Sequence, residues 1–370
     1  PGGFLRREGR PGNSAILNAR LIDRPIRPLF DKRCRNDIHV MATVLSVDYD
    51  NAPELCGMLG ASASLGISDI PWDGPIAGVR VGRVDGKFVI NPTQEQLKVS
   101  TLNITVAGSE TAILMVEGGA QEAPEEDVLD AIMFGHETIK ELVAFQKKII
   151  EEVGKLKRTL IFPEIPEEIK TAIYAYAERP LKEAIFNPDK LTREAHMEEV
   201  RKEAETHFKE IYPENGSDIT ECLNHLTKEI VRHMISVDKI RPDGRALDEI
   251  RPISCEVGLL PRVHGSALFT RGQTQALTIT TLAPMSETQI IDDLTQETEK
   301  RYIHQYNFPS YSVGETKSSR GPGRREIGHG ALAERALIPV IPTVEEFPYA
   351  IRVVSEILES NGSSSQASVC

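Results

Sequence analysis

Residues 324–342 read RREIGHGALAERALIPVIP, and residues 6–30 read RREGRPGNSAILNARLIDRPIRPLF. The two stretches share an Arg-Arg-Glu start, a glycine, a helical run carrying Leu and Arg, and an exit through Ile and Pro. Each leads into an apolar segment with strand character, IHVMATVLSV at 38–47 and YAIRVVSEIL at 349–358. Similarity repeated along one chain is the mark of a duplicated structural unit. The chain is therefore predicted to hold two related α+β copies, at 1–160 and 237–370, with a spacer at 161–236.

The rest of the sequence agrees with that division. VRVGRVDGKFVINPT at 79–93 alternates apolar and polar residues around Asp85 and Gly86, a strong short-range hairpin signal. LNITVAGSETAILMVEG at 102–118 predicts a second hairpin, and the small residues of GMLGASASLGI at 57–67 predict a helix packed closely on a sheet. Between 127 and 153, apolar residues at Leu129, Ile132, Met133, Ile139, Leu142, Val143, Ile149 and Ile150 follow helical spacing. The prolines of IFPEIPEEI at 161–169 mark a boundary. The spacer then carries 16 acidic and 10 basic residues with few β-branched runs, which predicts a small all-helical domain with a solvated surface. Turn residues Pro242, Asp243 and Gly244 open the second copy.

A chain of 370 residues with 40% apolar content can bury several cores. Its longest apolar runs, such as TAILMV and ALIPVI, fall far short of a membrane span, and no charged-then-apolar leader opens it. These features predict a cytoplasmic protein without membrane contact. Cys34, Cys56, Cys222, Cys255 and Cys370 are scattered, odd in number and never in a CxxC spacing, so free thiols are expected. The first residue is not Met, and the last apolar element is just beginning at Val369, which predicts a piece of a longer protein. Net charge is −12, yet residues 1–35 hold nine Arg or Lys against three acids. A local excess of this kind reads either as an anion-binding face or as a solvated basic stretch.

The copies differ at the junction after the strand. The first continues as DYDNAPELCG (48–57), the second as ESNGSSSQASVC (359–370). Serine hydroxyls and backbone N–H groups at a strand-to-helix junction can converge on one anion, whereas Pro53 removes a donor and Glu54 adds repulsion. A phosphate site is thus expected only in the second copy, at Ser363, Ser364 and Ser365. RGPGRREIGHG adds Arg324, Arg325 and His329 on a glycine-rich lead into a helix, where guanidinium groups can grip phosphate bidentately and the imidazole can donate to it or carry a proton. His264, Arg271 and Trp72 read more simply as a strand-end packer, a turn residue and a loop anchor. No Walker loop, HExxH or GxSxG occurs, so the common ATPase, zinc-protease and hydrolase signatures are absent.

GGFLRREGRP, ARLIDRPIRPLF, RPDGR, HGSALFTRGQTQAL, YNFPSYSVGET, RREIGHG and FPYAIRVVSEILESNGSSSQASVC occur in this order. Together they resemble the bacterial polynucleotide phosphorylase family, 3′-to-5′ RNA-degrading enzymes. The resemblance implies two RNase PH-like domains (β-α-β-α, ribosomal S5 domain 2-like) joined by a small all-α domain. It also implies phosphorolysis of single-stranded RNA to nucleoside 5′-diphosphates, reversible, with Mg2+ or Mn2+ and with inorganic phosphate as co-substrate. A homotrimeric ring threading RNA through a central channel, partner proteins of RNA degradation and a role in mRNA turnover belong to the same expectation. Ser363, Ser364 and Ser365 would hold the attacking phosphate, with catalytic His329, Arg324 and Arg325 lining the site. Phe4, Leu5, Arg6 and Arg7, with Arg10, would contact RNA, Leu5 standing where a second Phe is common. The family's metal-binding carboxylates fall downstream of Cys370, so no metal ligand is expected within these residues, and the isolated stretch is expected to have little activity. The alternative is a catalytically silent RNA-binding ring subunit. A hydrolytic nuclease is disfavoured, since a water nucleophile needs no phosphate cradle.

Overall fold

Asp85 and Gly86 turn the chain at φ angles of 48° and 75°, the left-handed backbone that lets a two-residue loop follow the twist of its strands. In the computed structural model, which describes residues 9–48, 50–162, 164–291, 294, 298–318 and 321–370, this turn joins β1 (Ala77–Val84) to β2 (Lys87–Ile90). The second expected hairpin, β3 (Leu102–Gly108) and β4 (Ile113–Ala120), completes an antiparallel sheet of order β2-β1-β3-β4. Three helices accompany it: α2 (Pro53–Ile67), the short α3 (Gln94–Val99) and the 29-residue α4 (Glu125–Val153). The apolar stripe of α4 buries Ala131, Ile139 and Val143 against Val79, Val81, Ile104 and Val106 of the sheet. Gly135 sits at the closest approach, where an added Cβ would lie 2.9 Å from a Val81 methyl.

Helix α1 (Asn13–Ile26) precedes these elements and contributes Leu21 and Ile26 to a core with Met58, Leu65, Trp72 and Ile76. Trp72 is a loop anchor as expected: its indole donates to the Ile26 carbonyl at 3.1 Å. Residues 38–47 do not form the expected strand. A strand requires ladder partners, and the two that flank the matching strand of the second copy come before its helix in chain order. Nothing comparable precedes α1 among the described residues, and Met41 and Leu45 remain exposed. Lys157 closes the other end of α2 by donating to the carbonyls of Leu65, Gly66 and Ser68 at 2.7, 2.8 and 2.8 Å, groups that a helix end otherwise leaves unpaired.

Two units divide the chain, one of residues 1–160, 255–269 and 274–370, the other of 161–254 and 270–273. The second is built on α5 (Glu167–Ile185), α6 (Lys190–Ile211) and α7 (Gly216–Ser236), around Ile173, Leu181, Phe208, Ile219 and Leu223. Its helices match the expected spacer, and an Asp189 cap receives the Thr192 amide at 2.8 Å. No helix among the described residues is long and apolar enough to cross a membrane, and all five cysteines are free thiols.

The remaining strands are β5 (Ile253–Val257), β6 (Gly265–Arg271), β7 (Thr274–Ala283), the two-residue pair β8 (Gln289–Ile290) and β9 (Glu299–Lys300), β10 (Tyr302–Asn307) and β11 (Ala350–Glu359). They form a five-stranded sheet of order β10-β11-β7-β6-β5, with β10 parallel and β7 antiparallel to β11. Helix α8 (Arg324–Leu337) links β10 to β11, and the short α9 (Ser364–Val369) follows β11. Within the larger unit the two copies meet: Glu117 on β4 pairs with Arg24 on α1 and with Arg335 on α8, the latter at 3.0 Å. His264 is a strand-end group as expected, its Nδ1 accepting from the Leu282 amide at 3.3 Å.

A buried polar row crosses this second sheet. His304 Nδ1 lies 3.1 Å from the Tyr302 hydroxyl, its Nε2 lies 2.8 Å from Ser355 Oγ, and Ser355 reaches Thr278 at 3.0 Å. Burial pushes the His304 imidazole down to about 4. A folded value below the unfolded one means that, as pH falls through 6.5, the unfolded chain takes up a proton that the folded chain refuses. Stability should therefore fall by about 2 kcal/mol between pH 7 and pH 5 through His304. Urea midpoints at the two pH values check this, with His304→Gln expected to lose that part of the slope. Replacing Lys157 by Met should cost about 2 kcal/mol, as a charged donor to three carbonyls is removed, read as a lowered urea midpoint with unchanged slope.

Candidate active site

The junction after β11 is held from several sides. The Asn361 amide donates to Thr274 Oγ1 at 3.0 Å, and the same hydroxyl donates to the Gly362 carbonyl at 3.1 Å. The Ser360 amide donates to the Ser312 carbonyl at 2.9 Å. Gly362 at φ 90° and Ser363 at φ 48° both adopt left-handed backbone. Glycine does so freely, whereas a serine there is held against its preference, a feature that concentrates at functional turns. The turn presents Ser363 to solvent and tucks Ser364 and Ser365 inward.

The three serines are consequently unlike one another. Ser364 is 4% exposed, and its hydroxyl lies 2.6 Å from that of Tyr306. Ser365 Oγ donates to the Gln366 side-chain oxygen at 3.1 Å.

Helix α8 brings its residues to the same place by lying close on β10. Gly330 permits this, since an added Cβ would be 2.9 Å from the His304 carbonyl oxygen. His329, next in the helix, then meets Tyr306 edge to face, ring centroids 4.9 Å apart at 77°. Glu326 ties the helix start to the strand end, accepting from the Phe308 amide at 2.9 Å and from the Gly323 amide at 2.7 Å. Arg325 lies over the Phe308 ring, 5.9 Å from its centroid. Arg324 stays exposed in the first turn and makes neither hydrogen bond nor ion pair among the described residues.

His329 is a neutral imidazole at physiological pH. Burial first, then the positive charges of Arg325 and Arg20, push it down to about 4. Its Nδ1 is buried without a partner, an expensive state for a polar atom. Desolvation and two guanidinium neighbours thus hold it well below the ordinary histidine range.

Arg20 is the residue that sequence reasoning missed. It comes from α1 in the first copy, yet its guanidinium rests on α8 at Gly328, where an added Cβ would overlap it. Among the described residues it has no ion-pair partner. The available signal was the internal repeat: two equivalent helices, one in each copy, that pack on one another will carry side chains into each other's sites. Arg10 is exposed. Phe4, Leu5, Arg6 and Arg7 lie outside the described residues.

In the first copy the corresponding junction closes on itself. Pro53 occupies the first position of α2, and Glu54 pairs with Arg80 at 2.5 Å, both side chains mostly buried. A divalent ion finds no ligand set either, since no group of three or more His, Cys, Asp or Glu side chains converges among the described residues.

Comparison with known proteins places these features in a family. The model described as 3′ exoribonuclease family, domain 1, matches residues 2–71 and 249–370, and that of domain 2 matches 74–138. A third, polyribonucleotide nucleotidyltransferase RNA binding domain, matches 168–246. The polyribonucleotide nucleotidyltransferase of Heliobacterium modesticaldum is 59% identical over the whole chain and 52% of its own length. That of Syntrophomonas wolfei is 60% identical over the whole chain and 53% of its own length. The chain thus spans about half the length of the curated relatives it matches. A solved chain of the Archaeoglobus fulgidus exosome with RNA bound to the active site is 20% identical, with a TM-score of 0.29 over 38% of this chain and 56% of that one. The family models cover both copies and the helical spacer between them, and on that ground the chain belongs to the 3′ exoribonuclease family.

Proposed function

We propose that the chain is the phosphorolytic core of a polyribonucleotide nucleotidyltransferase, removing nucleotides from the 3′ end of single-stranded RNA as nucleoside 5′-diphosphates. One observation carries the reading: among the described residues, the second copy gathers a serine turn, a neutral imidazole and guanidinium groups lacking counter-ions into one cluster. Such a cluster suits an anionic nucleophile meeting an anionic diester, a pair that repel unless cations and neutral donors are in place beforehand. Arg325 and Arg20 would offset the charge, with Arg324 at the rim. Ser363, Ser364, Ser365 and the backbone amides of the turn would donate to phosphate.

In the reaction, a phosphate oxygen bonds to phosphorus of the last diester while the bond from phosphorus to the upstream O3′ breaks. The leaving O3′ takes a proton, and the terminal nucleotide departs as a diphosphate. His329, neutral and unpartnered at Nδ1, is suited to hold or pass that proton. The family resemblance implies Mg2+ or Mn2+ as well, and no ligand set for it converges among the described residues. The first copy, whose junction is closed by Glu54 and Arg80, would hold RNA through Arg6, Arg7 and Arg10 together with Phe4 and Leu5. Assembly as a homotrimeric ring, partner proteins of RNA degradation and a cytoplasmic location go with the same reading, as does the division into copies at 1–160 and 237–370 around a spacer at 161–236.

The deciding assay follows products from oligoadenylate with and without phosphate: diphosphates only when phosphate is present support phosphorolysis, monophosphates without it indicate hydrolysis, and RNA binding without products indicates a silent subunit. Changing Ser364 and Ser365 together to Ala should raise the phosphate requirement much more than it weakens RNA binding. Changing Arg6 and Arg7 to Ala should do the reverse and flatten the salt dependence of RNA affinity by about one log unit per lost phosphate contact. Because a nearby anion favours the protonated imidazole, added phosphate should raise the His329 titration from its free value of about 4, followed by NMR of the ring protons.

A further inference from the structure

Glu117 stands at the seam between the two copies, outside the cluster around His329. From β4 it offers one carboxylate oxygen to each of two arginines: Oε2 accepts from Arg24 Nη1 on α1, and Oε1 from Arg335 Nη1 on α8, the latter at 3.0 Å. The Glu117 side chain is 26% exposed. Two residues further along β4, on the same face of the strand, Gly119 leaves room for the Arg335 stem. An added Cβ there would lie 3.4 Å from Arg335 Cγ and 3.7 Å from its Cδ.

The same two helices share a second contact. Arg20 lies about one turn before Arg24 on α1, and Gly328 lies about two turns before Arg335 on α8. An added Cβ at Gly328 would come within 2.6 Å of Arg20 Cζ, so the guanidinium rests on the α8 backbone. Among the described residues no hydrogen bond or ion pair ties it there. Its place is therefore set by how α1 sits on α8. The other carboxylates of these helices are already engaged: Asp23 by Arg27, Glu334 by Lys300 and the His304 amide, and Glu326 by the amides of Phe308 and Gly323. Without the Glu117 carboxylate, Arg24 and Arg335 would be left as neighbouring like charges, which repel.

We propose that Glu117 is a positioning residue for the second copy's site: by bonding Arg24 and Arg335 together it fixes α1 against α8, and thereby holds Arg20 over Gly328, next to His329. The inference rests on the phosphorolytic reading for the identity of the anion that Arg20 meets, while the geometry stands without it. Partly exposed ion pairs add little to stability, and with the two arginines 42% and 35% exposed the bridge acts chiefly on alignment. A strand of the first copy thus governs a charge in the site of the second. Burial acts first on His329, then Arg325 and Arg20, with Glu326 opposing, so the imidazole reports where Arg20 stands.

The test compares Glu117→Gln, Arg20→Ala and the double variant, with thermal melting to verify folding. Inorganic phosphate affinity is read at neutral pH by phosphorus NMR, and the His329 ring protons are titrated by NMR in phosphate-free protein. Glu117→Gln and Arg20→Ala should each weaken phosphate about tenfold, the worth of one charge-assisted contact. Each should also move the His329 titration upward from about 4, since a cation has left its side. The double variant should match Arg20→Ala, because Glu117 acts through Arg20. A folded Glu117→Gln protein with native phosphate affinity and an unmoved His329 titration would overturn the proposal, as would additive losses in the double variant. Should Glu117→Gln not fold, Arg335→Gln breaks one half of the bridge and is expected to shift both readings the same way; unchanged readings there overturn it equally. If the native protein binds no phosphate, the phosphorolytic reading falls, and the His329 titration still decides whether Glu117 places Arg20.

Discussion

The close approach of α8 to β10 at Gly330 is the constraint on which the site depends. A side chain at that position would run into the His304 carbonyl, and α8 would have to lift from the sheet. With the glycine in place, His329 drops against Tyr306, Tyr306 reaches Ser364, and Glu326 fastens the helix start to the Phe308 amide. Three segments separate in sequence become one connected group. Rigidity matters because an electrostatic site works by having its donors aimed before the substrate arrives.

Charge at this place runs opposite to charge overall. The chain carries a net −12, yet Arg20 and Arg325 press their charge on a neutral imidazole, and neither they nor Arg324 at the start of α8 has a carboxylate partner among the described residues. Several arginines elsewhere are matched: Arg24 and Arg335 share Glu117, Arg80 has Glu54, and Arg245 and Arg251 share Asp243. Matched cations hold structure together. Unmatched ones near a buried, unpaired nitrogen create a field that an anion relieves, and the same field explains why His329 is pushed toward the neutral form. The two copies have diverged along this line, the first neutralising its junction with Glu54 and the second leaving its cations open.

Much was legible in local pattern. Asp85 and Gly86 announced a hairpin because only certain residues accept left-handed backbone cheaply. The spacing of Leu129 through Ile150 announced α4, and the prolines near 161–169 announced the change to helices. The repeat was visible through RREIGHG and its echo, as were His329, Arg325 and the serine turn. Other readings failed for identifiable reasons. Residues 38–47 have the composition of a strand but pair with no strand among the described residues, and composition carries no knowledge of neighbours. Ser363, Ser364 and Ser365 look alike in the chain, and only folding makes one face solvent and another face Tyr306.

From the sequence by itself came the elements, the duplication, the helical spacer and the kinds of side chain available for phosphate chemistry, because backbone preference and periodicity act over a few residues. Tertiary structure decided which of those side chains meet. Arg20 enters the second copy's site from the first, Tyr306 links the serine turn to helix α8, and His329 loses its charge to burial and to two arginines, one of them over three hundred residues away. Distances, solvent exclusion and pairing of charge arise only when remote segments are brought together, and no local pattern encodes them.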